Sequence, residues 1–208
     1  MEDKLHIGCF NVPAEGWHNT DVTPHLWLAR LPGAAPLLHA VGKLSDERIR
    51  EHRAGIFRRV HYLDVTKRFP YKDDTFRAAF CSHVLEHIAR DSVAHFFQEV
   101  RRVLRPGGIF RVVVPSLEIA IAEYRPDAPE ACLEAIFENR HSWAKNVHKW
   151  MYTRESLART FEENGFVSVS KEAFRTGRMP DLNSLDNRPE NSIYVEGQKA
   201  GAGSSNGS

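Results

Sequence analysis

Long apolar runs are missing from this chain. No stretch of its 208 residues approaches the roughly 20 consecutive apolar positions needed to cross a bilayer, so no membrane partner is expected. Charge of one sign is equally scarce. Lys and Arg number 28 against 27 Asp and Glu, which leaves no basic stripe for nucleic acid or an anionic lipid surface. Cysteine is sparse and badly spaced for cross-linking: Cys9, Cys81 and Cys132 are odd in number, far apart and without a CxxC. Free thiols packed as small hydrophobes, in a reducing cytoplasm, are the simplest expectation. The opening Met1-Glu2-Asp3-Lys4 leads straight into a short apolar strand, so no signal peptide is read there. Internal repeats are absent, as are spacings diagnostic of a metal site such as HExxH or an EF-hand loop.

What is present fits one α/β domain over residues 1–200, followed by a Gly/Ser-rich tail, 201–208, expected to be disordered. Eleven histidines are many for this length, and several fall near the ends of expected strands. The organising stretch is Phe80-Cys81-Ser82-His83-Val84-Leu85-Glu86-His87-Ile88, the end of a buried strand running through a turn into a helix. Asp91 is positioned to cap that helix, whose apolar residues Val93, Phe96, Phe97, Val100, Val103 and Leu104 recur at helical spacing. Pro106-Gly107-Gly108 stops it, and Ile109 to Val114 follows as a strand. Such a βαβ unit places ligands at the carboxyl ends of its strands, where Ser82, His83, Glu86 and His87 would sit.

Elsewhere, Lys4 to Cys9 reads as a strand ending at Gly8, Trp17 to Asp21 as a second and Arg59 to Asp64 as a third. Too few residues separate the first two for a helical crossover, so an irregular loop is expected there. Ser45-Asp46-Glu47 caps a charged helix reaching about Gly55, and Thr153 caps another that ends at Asn164-Gly165. Glu130 to about Asn139 is helical by spacing. Phe166 to Ser170 and Ser192 to Glu196 are the last strands, joined by a long Pro/Gly/Asn/Asp loop over 175–191. Strands closing on Asp or a small residue, alternating with helices, predict an α/β fold with a parallel sheet and a polar rim.

Six pieces in order resemble the class I, type 11-like S-adenosylmethionine (SAM)-dependent methyltransferases. They are Leu5 to Cys9, Asp21, Asp64, His83 to Ile88, Leu104-Arg105-Pro106-Gly107-Gly108, and Gly165-Phe166. The segments His148-Lys149-Trp150-Met151-Tyr152 and Asn191 to Glu196 further resemble small methyltransferases of glycan and polysaccharide biosynthesis. The resemblance implies a Rossmann-like, doubly wound sheet of seven strands, mostly parallel with an antiparallel C-terminal strand. It also implies that SAM is held by Gly8, Cys9, Phe10, Asp21, Asp64, Val65, Ser82, His83 and His87. Asp21 would take the ribose diol, with helix capping as its alternative role; Asp64 with Val65 would meet the adenine edge, with a turn as the alternative. Phe10 stands where the family usually carries a second glycine, which predicts a rebuilt first loop.

The implied reaction is in-line methyl transfer to a hydroxyl of a sugar or short oligosaccharide. An alcohol must lose its proton, and a histidine is the usual acceptor. His148 is favoured as that base, with His83 as a second candidate and Glu118 orienting the base or holding a hydroxyl. Trp143, Trp150, Tyr152 and His141 suit contact with a sugar face; the alternative is that the tryptophans cover the sheet and His87 is structural. Mg²⁺ held by Glu118 and His148 is an open addition. Alternatives are methylation of a small amine or phenol, and a non-catalytic scaffold of the same fold. Any homodimer would use the 175–191 loop.

Overall fold

The structure is a computed structural model describing residues 2–137 and 147–201. Its seven strands are β1 (Lys4–Ile7), β2 (His18–Asp21), β3 (His61–Tyr62), β4 (Phe76–Ser82), β5 (Leu104–Pro115), β6 (Phe166–Glu172) and β7 (Ser192–Lys199). They form one sheet in the order β3-β2-β1-β4-β5-β7-β6. The first five are parallel, and β7 runs antiparallel to both β5 and β6. The chain turns back across the sheet between β1 and β4. Parallel sheets open a crevice at such a reversal, beyond the carboxyl ends of the strands.

The helices are α1 (His25–Leu28), α2 (Ala34–Ala40), α3 (Asp46–Arg53), α4 (Arg90–Val103), α5 (Leu117–Ala122), α6 (Glu130–Phe137), α7 (Arg154–Glu163) and α8 (Leu182–Leu185). Residues 78–81 of β4 and 109–114 of β5 are apolar apart from Arg111, because both faces of the sheet are covered there. Ala79, Cys81, Phe110, Val112 and Val114 join the core under α4 and α7, with Phe96, Phe97, Val100, Leu157 and Phe161. Ala78, Phe80 and Val113 face the other way, onto Trp17, Met179 and Leu185. That second face is closed largely by the 175–191 segment. It is pinned by the fully buried Arg111, which pairs with Asp186 and Glu196 and donates to the carbonyls of Ala173 and Thr176. The long loop is therefore a packed layer of the protein.

Local signals fixed several boundaries. Ser45 Oγ accepts from Arg48 N at the start of α3, and Thr153 with Ser156 forms a reciprocal capping box on α7. No helix intervenes between β1 and β2; Gly8 N and Cys9 N both donate to Thr20 O and fold that loop back on β2. Three expectations need correction. The third strand is only His61–Tyr62, an edge strand with β2 alone as partner. Helix α4 begins after Ala89, which carries no side-chain cap, so Asp91 sits in the first turn, where its charge still favours the positive helix end. Pro106-Gly107-Gly108 does not separate helix from strand. The chain leaves α4 directly into β5, and the register steps from Phe76 opposite Leu104 to Ala78 opposite Ile109, so these residues form a bulge within the strand. His141, Trp143 and residues 202–208 lie outside the described residues.

Candidate functional site

Above the carboxyl ends of β1, β2 and β4 lies a cavity of about 570 Å³. Gly8, Phe10, Asp21, Asp64, Val65, His83 and His87 all line it. Seven of the nine residues expected to hold a cofactor thus line one cavity. Its apolar lining comes from Val22, Pro24, Leu63, Val65, Val84 and Ile88. A volume of this size suits a ligand of cofactor dimensions.

Gly8 is required by space and by backbone. Its φ is +72°, and a Cβ there would come within 2.1 Å of Val84 Cγ2. Phe10 also has a positive φ, 45°, so the loop takes a left-handed turn without the usual glycine. Its ring stays at the cavity edge, against Phe57 and His25, with the Arg48 guanidinium 4.7 Å from the ring centroid. Asp21 ties the turn together: Oδ2 accepts from Phe10 N at 2.9 Å and Oδ1 from Thr23 N at 2.7 Å. Burial pushes the Asp21 carboxyl up, opposed by these backbone donors. Asp64 is more open. Its Oδ1 accepts from Thr66 N and Oγ1, and the hydroxyl bond holds its acidity below the ordinary carboxylate range.

Cys9 and Ser82 do not reach this cavity. They line a neighbouring one of about 160 Å³, shared with Gly8, Phe10 and His83. Burial raises the Cys9 thiol far above its usual range, with Asp21 adding to the effect, so it is inert as a nucleophile. His83 faces both cavities, and its φ of 54° is strained for a non-glycine residue. Its Nδ1 lies 3.3 Å from Glu86 Oε1, and its Nε2 3.2 Å from Ser192 Oγ. Glu86 was expected at the rim; it lies beneath it, at 0 % exposure, and neither carboxylate oxygen has a hydrogen-bond partner among the described residues.

A third cavity, about 240 Å³ and almost wholly apolar, adjoins the first through Lys149. His148 and Trp150 line it with Leu117, Ile136, Phe137 and Met151. Trp150 is 45 % exposed, and the Arg90 guanidinium sits 4.5 Å from its ring centroid. Tyr152, expected on a sugar face, is instead a core residue at 0 % exposure, bridged to Ser116. Glu118 is exposed in the first turn of α5 and lines none of the three cavities. The carboxylate that does stand beside His148 is Glu86. Lys149 and Thr23 were not singled out from the sequence. The Asp21-x-Thr23 spacing carried a local signal for Thr23, as an Asx turn.

Residues 41–112 match a family described as methyltransferase domain. Among solved structures, a SAM-dependent methyltransferase of Methanosarcina mazei superposes with a TM-score of 0.53 at 15 % identity, over 97 % of this chain and 94 % of that one. A SAM-dependent methyltransferase of Thermotoga maritima gives 0.50 at 17 % identity, over 94 % and 81 %. The chain therefore has the SAM-dependent methyltransferase fold, with a methyltransferase-domain match running from the end of α2 into β5.

Proposed function

We propose that this protein is a SAM-dependent methyltransferase acting on a hydroxyl of a sugar or short oligosaccharide. The observation that carries the reading is the 570 Å³ cavity at the sheet reversal, with Gly8, Asp21 and Asp64 on its walls. These residues suit the donor. Gly8 keeps the loop clear where a side chain would strike Val84, Asp21 and Asp64 offer carboxylate oxygens to a ribose diol and an adenine amine, and Leu63, Val65 and Ile88 offer an apolar slot to the ring. SAM supplies the activated methyl group; the chain positions both partners, which is worth on the order of 7–11 kcal/mol in favourable cases.

On the acceptor side, His83 is the better placed of the two proposed bases. It lines the donor cavity and has a buried carboxylate beside Nδ1, whereas His148 lines only the adjoining cleft. Trp150 supplies an exposed aromatic face for the acceptor, next to Lys149 at the junction. Because the cleft is almost wholly apolar, a second reading is a flat phenolic or amine acceptor of low polarity.

Calorimetry with S-adenosylhomocysteine (SAH) tests the donor site. Saturable binding that weakens tenfold or more in Asp21→Ala supports it, and no heat in the wild type overturns it. Following SAH release from SAM with panels of oligosaccharides, phenols and amines then separates the acceptors. Turnover confined to phenols or amines would remove the sugar assignment and keep the enzyme.

A further inference from the structure

Glu86, His87 and His148 bring one ligand atom each to within 4.8 Å of one another, between the donor cavity and the apolar cleft. We infer that these three residues bind a divalent transition-metal ion, with zinc the best match to the ligand set.

Three observations carry this. The first is Glu86: its carboxylate is completely buried, both oxygens lack a hydrogen-bond partner among the described residues, and it is aimed into the cluster. Burying a carboxylate is costly unless a cation or hydrogen-bond donors compensate. His83 Nδ1 at 3.3 Å compensates one oxygen at best.

The second is the orientation of the two imidazoles. His87 Nδ1 faces Val147 O at 3.2 Å and His148 Nδ1 faces Ile136 O at 3.1 Å. A carbonyl only accepts, so each Nδ1 carries the ring proton and, in the neutral ring, Nε2 carries the lone pair. Metal-ligating histidines are held this way, with the second nitrogen donating to a backbone carbonyl.

The third is preorganisation by the main chain. Lys149 N and Trp150 N both donate to Glu86 O, at 2.8 and 3.2 Å, and fasten the segment bearing His148 onto the turn bearing Glu86 and His87. The two rings have centroids 5.1 Å apart. Donors around tetrahedral zinc at 2.0–2.1 Å stand roughly 3.4 Å apart, against the 4.8 Å that bounds the ligand atoms of this cluster. Two imidazoles and one carboxylate also leave an open position of the catalytic-zinc kind. That position would hold an acceptor oxygen and acidify it, a role that rests on the methyl-transfer reading; the binding itself does not.

The test is calorimetric titration of chelator-stripped, full-length protein with Zn²⁺, and Co²⁺ titration followed by visible absorption. One equivalent should bind the wild type, and the cobalt complex should show the intense bands of a four- or five-coordinate ion. Glu86→Gln and His148→Ala should each weaken binding at least roughly 100-fold, beyond the 10–100-fold typical of losing an outer-shell partner. Should Glu86→Gln fail to fold, His148→Ala, in a half-buried residue, carries the comparison. Melting extends the test, since zinc should raise the wild-type midpoint and leave His148→Ala unmoved. The His25–His52 pair, Nδ1 to Nε2 at 3.0 Å, is the rival cluster. Unchanged affinity in His148→Ala, with loss in His25→Ala, would overturn the assignment, as would failure of the wild type to bind one equivalent. Loss of zinc binding with SAH affinity intact would separate this site from the donor cavity.

Discussion

Replacing Gly8 by alanine should damage both stability and the donor cavity, by amounts the geometry sets. Two effects add. A left-handed backbone costs an L-residue about 1–2 kcal/mol relative to glycine, and Gly8 sits at φ +72°. The new Cβ would meet Val84 Cγ2 at 2.1 Å, far inside the 3.5–4.0 Å contact distance of two carbons. Relieving that overlap means turning or displacing Val84, an overpacking of about 1–3 kcal/mol. Gly8→Ala is therefore expected to lose about 2–5 kcal/mol in urea unfolding. Adding Val84→Ala removes the struck methyl and isolates the steric part, so the double-mutant cycle should show favourable coupling of at least about 1 kcal/mol. The backbone part should persist in the double variant. Since Gly8 and Val84 both line the cavity, SAH affinity should fall at least tenfold in the single variant and recover partly in the double. A loss below about 0.5 kcal/mol with additive effects would refute the argument, because the loop would then have somewhere else to go.

Asp186→Ala should cost about 3–5 kcal/mol, since it strips a partner from the fully buried Arg111; a small shift in the urea midpoint would mean that Glu196 and the two carbonyls suffice. Burial lowers the His6 pKa from 6.5 to about 4, partly countered by the bond to Asn19, so the folded state resists a proton that the unfolded chain accepts. Stability is then lost as pH falls from 6.5 towards 4, by about 2 kcal/mol between pH 7 and pH 5, and His6→Leu should remove that part of the pH dependence. Trp150→Ala should raise KM for the acceptor several-fold with little change in SAH affinity; an equal loss of both would place Trp150 with the donor. His83→Ala should lower kcat about 100-fold or more on a hydroxyl acceptor and far less on an amine.

The readable parts of this chain were those whose signals are local. The helical spacing of Val93, Phe96, Phe97 and Val100, the box at Thr153 and the glycine at 165 are each decided within a few residues, and they appear where expected. Asp21 and Asp64 reach the cavity because the ends of successive parallel strands point to one rim. Arg111 gave no such signal. A charged residue inside an apolar strand declares its role only when Asp186 and Glu196, 75 and 85 positions later, close around it. Tyr152 went astray for the same reason: an aromatic two residues from the exposed Trp150 looks like a contact surface until its bridge to Ser116 draws it into the core.

Sequence alone determined the seven strands and helices α3, α4, α6 and α7 in their order, with most of the polar residues delivered to the rim, because hydrophobic period, caps and strand-end residues act over one or two turns of chain; the short helices α1, α2, α5 and α8 and the lining residues Thr23 and Lys149 were not legible there. Tertiary structure decided which of those residues share a space. It sent Cys9 and Ser82 to one cavity and Asp21 and His87 to another, left Glu118 in solvent, and put Glu86 in the dark beside His148. The physical reason is that burial and the pairing of charges depend on distances between segments far apart in the chain, such as His87 and Val147, 60 residues on, and nothing in the local chain encodes those distances.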